Sequence, residues 1–254
     1  MKIDVSILIQ THNEEDMIKD CIDSARLVSE DILVVDTESS DNTVSIAKEK
    51  DVRVLSFPYS YYVEPARQFG MEKSQGGWVL ILDADERVTE KLREEISEVI
   101  KQKEYTHFKI PRKNMFAKKK WLKHGGWWPD YQIRLIKKSA FTTWPEEIHS
   151  TPRIEGKMAY LTSPLLHYFH GDLEKMVEKT VIFENVEAQL LFEAKKSVSS
   201  FTFFRKFIGE LYRRLFKHAG FLDGNVGIIE GLYQAFSKTI TYLYLYEKKK
   251  SSSV

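Results

Sequence analysis

The stretch Trp78-Val79-Leu80-Ile81-Leu82-Asp83-Ala84-Asp85-Glu86 runs an unbroken apolar segment straight into two aspartates one residue apart. A strand covered on both faces reads as such a run, because neither side can carry polar groups. Two carboxylates at a rigid strand end are hard oxygen ligands suited to Mg²⁺ or Mn²⁺, which can bridge to a diphosphate. An Asp-x-Asp pair by itself is common, and this one could equally be cap chemistry ahead of the helix that starts near Thr89.

The rest of the first third decides between these. Val5 to Ile9, Ile32 to Val35 and Val52 to Leu55 are three more apolar, β-rich runs. Between them, Met17, Ile18, Cys21, Ile22 and Ala25 recur at helical spacing, as do Val44, Ile46 and Ala47, and Pro65 to Lys73 reads as a helix. Strand–helix alternation implies a parallel, doubly wound sheet, in which ligands bind beyond the carboxyl ends of the strands. Thr11 to Glu14, Asp36, and Asp83 with Asp85 therefore fall on one sheet edge. The glycine fingerprint of a dinucleotide site is missing from the first strand–helix turn.

Composition narrows the classes further. The chain has 254 residues, 43% of them hydrophobic and 30% charged, which suits one α/β domain with a helical appendage and speaks against disorder. A net charge of +1 gives no footprint for nucleic acid. Cys21 is the one cysteine, so an intramolecular disulfide and a cysteine-rich zinc site are excluded, and a reducing cytoplasm fits. The opening MKIDVSILIQ reads as a strand rather than a signal peptide, and no run approaches the about 20 apolar residues of a membrane span.

Four blocks, SILIQTHNEE, ILVVDTESSDNT, EPARQFG and WVLILDADE, occur in order over residues 3–90. In this combination the chain resembles the inverting glycosyltransferases of family 2. Gly126 to Leu135, Glu147-Ile148-His149 and Gly220-Phe221-Leu222-Asp223-Gly224 extend the likeness toward the subgroup that builds lipopolysaccharide core and related glycans. The resemblance implies an α/β, GT-A (nucleotide-diphospho-sugar transferase) fold, a mostly parallel sheet with helices on both faces plus a helical C-terminal extension. Its domains would be a catalytic 1–170 and a helical 171–254.

It also implies residue roles. Thr11, His12 and Glu14 would line the nucleoside pocket, Asp36 would accept a hydrogen bond from a uracil NH, and Arg67 would lie near the nucleotide. Asp83 and Asp85 would hold Mg²⁺ or Mn²⁺ and the diphosphate, with His149 completing the metal shell or contacting the diphosphate. Asp130 would be the general base, Gln132 and Arg134 would support the acceptor loop or the phosphates, and Trp127 and Trp128 could stack on a sugar or simply cover the sheet. His167 and His170 could orient a loop.

Phe201, Phe204, Ile208, Leu211 and Leu215 form a helical stripe, with Lys206, Arg213, Arg214 and Lys217 opposite. Such a basic amphipathic helix suits an anionic membrane surface, at the inner face of the cytoplasmic membrane. The alternative is packing on the catalytic domain or on a second copy in a homo-oligomer. The expected activity is transfer of a hexose from a UDP-sugar donor to a hydroxyl of a glycolipid or cell-envelope glycan acceptor. Two other classes stay open from residues alone: a nucleotidyltransferase using the same aspartates, and a non-catalytic glycan-binding protein.

Overall fold

The structure, a computed structural model, describes residues 4–60, 62–146, 150–169 and 173–251. The chain divides into two compact units, Met1–Lys113 with Asp130–His167, and Asn114–Pro129 with Tyr168–Val254. Residues 114–129 group with the helical part.

The elements follow in chain order as β1 (Val5–Thr11), α1 (Glu15–Ala25), β2 (Ile32–Asp36), α2 (Thr43–Glu49), β3 (Arg53–Ser56), α3 (Glu64–Lys73), β4 (Trp78–Asp83), β5 (Glu86–Arg87), α4 (Glu90–Val99) and β6 (Tyr105–Phe116). After the short β7 (Lys120–Trp121) come β8 (Asp130–Lys137), β9 (Phe141–Thr143), β10 (Arg153–Ile154), β11 (Lys157–Tyr160) and β12 (Leu165–His167). The main sheet has the order β3-β2-β1-β4-β8-β6-β12-β5.

The first four strands pair in parallel, as the alternation predicts. The other half is largely antiparallel. β8 runs antiparallel to both β4 and β6, and β12 antiparallel to β5. The crossover through α4 carries β6 back in the direction of β4, and β8 fills the slot between them. This antiparallel half arises from the stretch that lacks clear periodicity in the sequence.

Successive side chains on β1 point to opposite faces. Ile7 and Ile9 join Ile18 and Ile22 of α1 and Leu92 and Ile96 of α4. Leu8 joins Val79, Ile81, and Ala66 and Met71 of α3 on the other face. Each such fully buried side chain contributes about 1.5–3 kcal/mol. Gly70 lets α3 settle on β1, since a Cβ there would lie 2.3 Å from Leu8 Cδ1. Cys21 is buried in the first layer, its Sγ 3.5 Å from the carbonyl oxygen of Asp83. Burial pushes its thiol far above the ordinary range. The native protein should therefore resist a thiol reagent such as DTNB and react fully once unfolded in guanidinium, which an absorbance time course will test.

The second unit holds the helices α5 (Leu173–Glu193), α6 (Ser200–Tyr212) and α7 (Asn225–Ser251). Ser199 caps α6, accepting the Thr202 N–H at 3.4 Å. α6 runs on into a π turn, Arg213–Lys217, followed by a 3₁₀ turn, Gly220–Asp223. Gly227 and Gly231 let α7 approach these turns: a Cβ would lie 2.0 Å from the Gly220 carbonyl oxygen and 2.6 Å from Leu215 Cδ2, respectively. The stripe expected from sequence is corrected here. Leu211 and Leu215 are half-buried, whereas Tyr212 and Phe216 are exposed. Arg214 turns inward to Glu210 and the Gly125 carbonyl, and Lys206 lies over the ring of Tyr242. No described helix is long and apolar enough to cross a membrane.

Candidate active site

Two loops at the carboxyl ends of β1 and β2 are stitched together. Thr11 faces Asp36 in register, and the Thr11 carbonyl accepts both the N–H (2.9 Å) and the hydroxyl (3.0 Å) of Thr37. Asn13 takes a left-handed conformation, φ 53°, which Asn tolerates. Its Oδ1 accepts the Ser40 N–H at 2.7 Å, and its own N–H donates to Ser39 Oγ at 2.8 Å. The Glu14 N–H donates to Thr43 Oγ1 at 2.8 Å.

His12 donates from Nδ1 to the Thr37 carbonyl at 2.6 Å and stacks on Tyr59 with ring centroids 4.2 Å apart. The Thr11 hydroxyl is buried without a hydrogen-bond partner among the described residues. Asp36 is buried, and both its oxygens accept from Ser39, the hydroxyl at 2.6 Å and the N–H at 3.0 Å. A uracil NH would therefore compete with a local turn for this carboxylate.

Beyond β4 the charged side chains form a continuous row. Arg67 of α3 donates from Nη2 to Asp83 at 2.8 Å and from Nε to Gln10 at 2.9 Å, with its guanidinium 5.1 Å from the Trp144 ring. Arg134 of β8 pairs with Asp83 and, at 2.7 Å, with Glu86. Glu86 also accepts the Asp83 N–H at 3.1 Å and lies 3.5 Å from Arg112 of β6. Arg112 bonds Asp130 from Nε at 2.8 Å and Nη2 at 2.6 Å, and Gln132 donates to the other Asp130 oxygen at 2.8 Å.

Burial alone would raise the Asp83 carboxyl, but the guanidinium groups of Arg134 and Arg67 outweigh it and hold Asp83 well below the ordinary carboxylate range. Arg134 is likewise held charged, its burial outweighed by Asp83 and Glu86.

The structure parts the two aspartates of the motif. Asp83 is taken up by Arg67 and Arg134. Asp85, on the turn after β4, has its Oδ2 3.4 Å from Nε2 of His167. That contact follows from the β12–β5 pairing, which sets His167 opposite Glu86. His149, expected as a metal ligand, and His170 lie outside the described residues, as do Glu147 and Ile148. Among the described residues no three His, Cys, Asp or Glu side chains form a metal cluster. The donor set that remains, a carboxylate oxygen and an imidazole nitrogen, has the chemistry of a partial site for a divalent ion of intermediate hardness.

Asp130, Gln132 and Arg134 share one face of β8 by their spacing of two, a signal legible in the sequence. Arg112 and Glu86 were missed. Arg112 sits directly opposite Asp130 in the β6–β8 register, a pairing that no local pattern announces. Trp127 and Trp128 belong to the helical unit, where packing occupies them. Trp127 lies 4.8 Å from Phe169 and 4.8 Å from the Arg214 guanidinium, and Trp128 meets Trp121 edge-on at 5.3 Å.

Charged and polar side chains gathered beyond the carboxyl ends of parallel strands mark the ligand-binding edge of an α/β enzyme. Residues 6–152, more than half of the chain, match the sequence model of glycosyl transferase family 2, and the chain belongs to that family. This agrees with the resemblance read from residues 3–90 and sets the nucleotidyltransferase alternative aside.

A glycosyltransferase of Rickettsia conorii is 25% identical over 261 residues, covering 98% of this chain and 92% of the relative. The lipopolysaccharide core biosynthesis glycosyltransferase LpsC of Rhizobium meliloti is 31% identical over 104 residues, 39% of this chain and 38% of that one. Among solved structures, Staphylococcus aureus TarS 1–349 in complex with UDP-GlcNAc aligns with a TM-score of 0.49 at 14% identity, covering 99% of this chain and 92% of that one. Glucosyl-3-phosphoglycerate synthase from Mycobacterium tuberculosis, with Mn²⁺ and UDP-glucose, aligns at 0.49 and 16%, covering 77% and 80%.

Proposed function

We propose that this family 2 glycosyltransferase moves a hexose from a UDP-sugar to a hydroxyl of a glycolipid or cell-envelope glycan, with inversion at the anomeric carbon. The observation that carries the reading is the row from Arg67 through Asp83, Arg134, Glu86 and Arg112 to Asp130. It sets guanidinium groups, which fork onto phosphate oxygens, beside a carboxylate that can act on an acceptor.

Thr11, His12, Glu14 and Asp36 take the nucleoside side, where the His12–Tyr59 stack offers an aromatic surface and the Thr11 hydroxyl an open bond. Arg67, Asp83 and Arg134 take the diphosphate side. Asp130 accepts the proton of the attacking hydroxyl, with Arg112 and Gln132 fixing its orientation. Asp85 and His167 would hold Mg²⁺ or Mn²⁺, which when bound supplies positive charge against a departing nucleotide diphosphate. The name of the Rhizobium relative supports an envelope glycan as acceptor, and with it a location at the inner face of the cytoplasmic membrane.

Calorimetric titration with UDP tests the donor and metal parts together. UDP is expected to bind in Mn²⁺, to bind more weakly in EDTA, and to lose that difference in Asp85→Ala. Binding unchanged by EDTA overturns the metal part. Absence of binding under both conditions overturns the donor.

A further inference from the structure

The helical unit has a small apolar core at Ala188, Tyr242 and Leu245, but over much of its helices the polarity is reversed. The buried positions of α7 include Gly227, Glu230, Gly231, Ser237 and Thr241. Glu184 of α5 accepts the hydroxyls of Ser237, at 2.6 Å, and Thr241, and the Tyr233 hydroxyl bonds that of Thr180 at 2.6 Å. Ile229, Leu232, Phe236 and Leu243 of the same helix are exposed. A helix facing water on its outer side shows the opposite arrangement.

The pattern is sharpest on α6 and its π turn. Phe201 (70% exposed), Phe204 (66%), Ile208 (44%), Tyr212 (62%) and Phe216 (63%) recur every three or four residues as one outward stripe. The rings of Tyr212 and Phe216 stack on each other 5.9 Å apart. Scattered exposed apolar residues are normal, but a contiguous aromatic stripe marks an interaction surface.

Charge identifies what covers it. Residues 200–217 carry Arg205, Lys206, Arg213, Arg214 and Lys217 against Glu210 alone, five cations to one anion. Two copies of such a surface would repel each other, whereas an anionic surface would attract it. Arg205 and Lys217 are exposed, and Arg213, bonded to Glu210, is 43% exposed, while Arg214 turns inward and Lys206 lies over Tyr242. No described helix can span a bilayer, so the contact is peripheral.

We infer that the Phe201–Phe216 stripe is a lipid-docking face, its aromatic side chains entering the interfacial layer of an anionic bilayer while Arg205, Arg213 and Lys217 meet headgroup phosphates. The inference rests on the membrane location proposed above and names the residues that make it.

Co-sedimentation of the full chain with vesicles of phosphatidylglycerol and phosphatidylcholine, and of phosphatidylcholine alone, is the test. The parent should sediment with the anionic vesicles and more weakly with the neutral ones. Phe204→Ser/Phe216→Ser should bind about tenfold or more weakly, since each loses an apolar side chain buried in lipid. Its melting curve and UDP titration should match the parent's, because both positions face solvent.

A parent that stays in the supernatant at low salt while still binding UDP overturns the docking face and leaves the donor reading standing. Equal binding to both vesicle types overturns the role of the cations. A parent dimer in sedimentation equilibrium that the double variant dissociates makes the stripe a self-interface and overturns the proposal. Loss of UDP binding with vesicle binding intact touches the donor reading alone.

Discussion

Asp130→Asn should lower turnover by about 10²–10⁴-fold, the usual contribution of a general base, while donor binding survives. Asn keeps the size of the side chain but cannot take a proton at neutral pH. The geometry lets it fit. Its amide oxygen can face Arg112, and Gln132, which now donates to Asp130 Oδ1, can turn its own amide to accept instead. The loss should fall on kcat more than on KM, because the proton moves only in the transition state. Single-turnover kinetics beside UDP titration separates the two. Near-normal turnover would move the base elsewhere. Lost donor binding would make Asp130 an anchor for the row rather than the base.

Arg134→Met should destabilise the fold by about 3–5 kcal/mol, the cost of stranding a buried charge by removing its partner. Arg134 is 3% exposed and Glu86 fully buried. Without the guanidinium, Glu86 keeps the Asp83 N–H and the longer contact to Arg112, its one remaining cation, and Asp83 keeps Arg67.

The pH dependence has a definite sign. In the parent, Asp83 is held below its unfolded value of about 3.9, so its pairing stabilises the fold above that pH. That contribution is lost as pH falls through the lower folded value. At pH 4 the parent still keeps most of this contribution, so the variant's deficit should be largest near neutrality and shrink in acid only as carboxylates stranded in the variant protonate. Denaturant unfolding at pH 7 and pH 4 reads both numbers. An equal deficit at the two pH values would mean that packing, not charge, sets the cost.

The parallel half of the sheet was legible because strands buried on both faces leave unbroken apolar runs, as in Ile32–Val35 and Trp78–Leu82. The antiparallel half was not. Tyr105–Phe116 mixes aromatic, basic and apolar residues, and the insertion of β8 between β4 and β6 is a long-range pairing with no local code. For the same reason Arg112 and Glu86 escaped notice, whereas Asp130, Gln132 and Arg134 were found through the family resemblance of the stretch Gly126 to Leu135. Spacing also treated Asp83 and Asp85 alike, whereas the chain turns after Asp83 and sends only the second toward His167. On α6 the helical period and the outward placing of Phe201, Phe204 and Ile208 hold, but past Ile208 the stripe runs on to Tyr212 and Phe216 instead of Leu211 and Leu215. The wider π turn keeps an i, i+4 pair, Tyr212 and Phe216, on the exposed side and leaves Leu211 and Leu215 inward.

The row of arginines and carboxylates has one more consequence, for how a donor is captured. Arg67, Arg112 and Arg134 are matched by Asp83, Glu86 and Asp130, so the row cancels its own charge. Seen from beyond a Debye length of about 8 Å it exerts little pull on a diphosphate. Diffusional encounter then gains little speed from electrostatic steering by the row, and attraction begins only at contact. On the function proposed above, Arg67 and Arg134 would each exchange a carboxylate of their own for a phosphate oxygen there, so capture would become a swap of partners, with selectivity decided late, at close range.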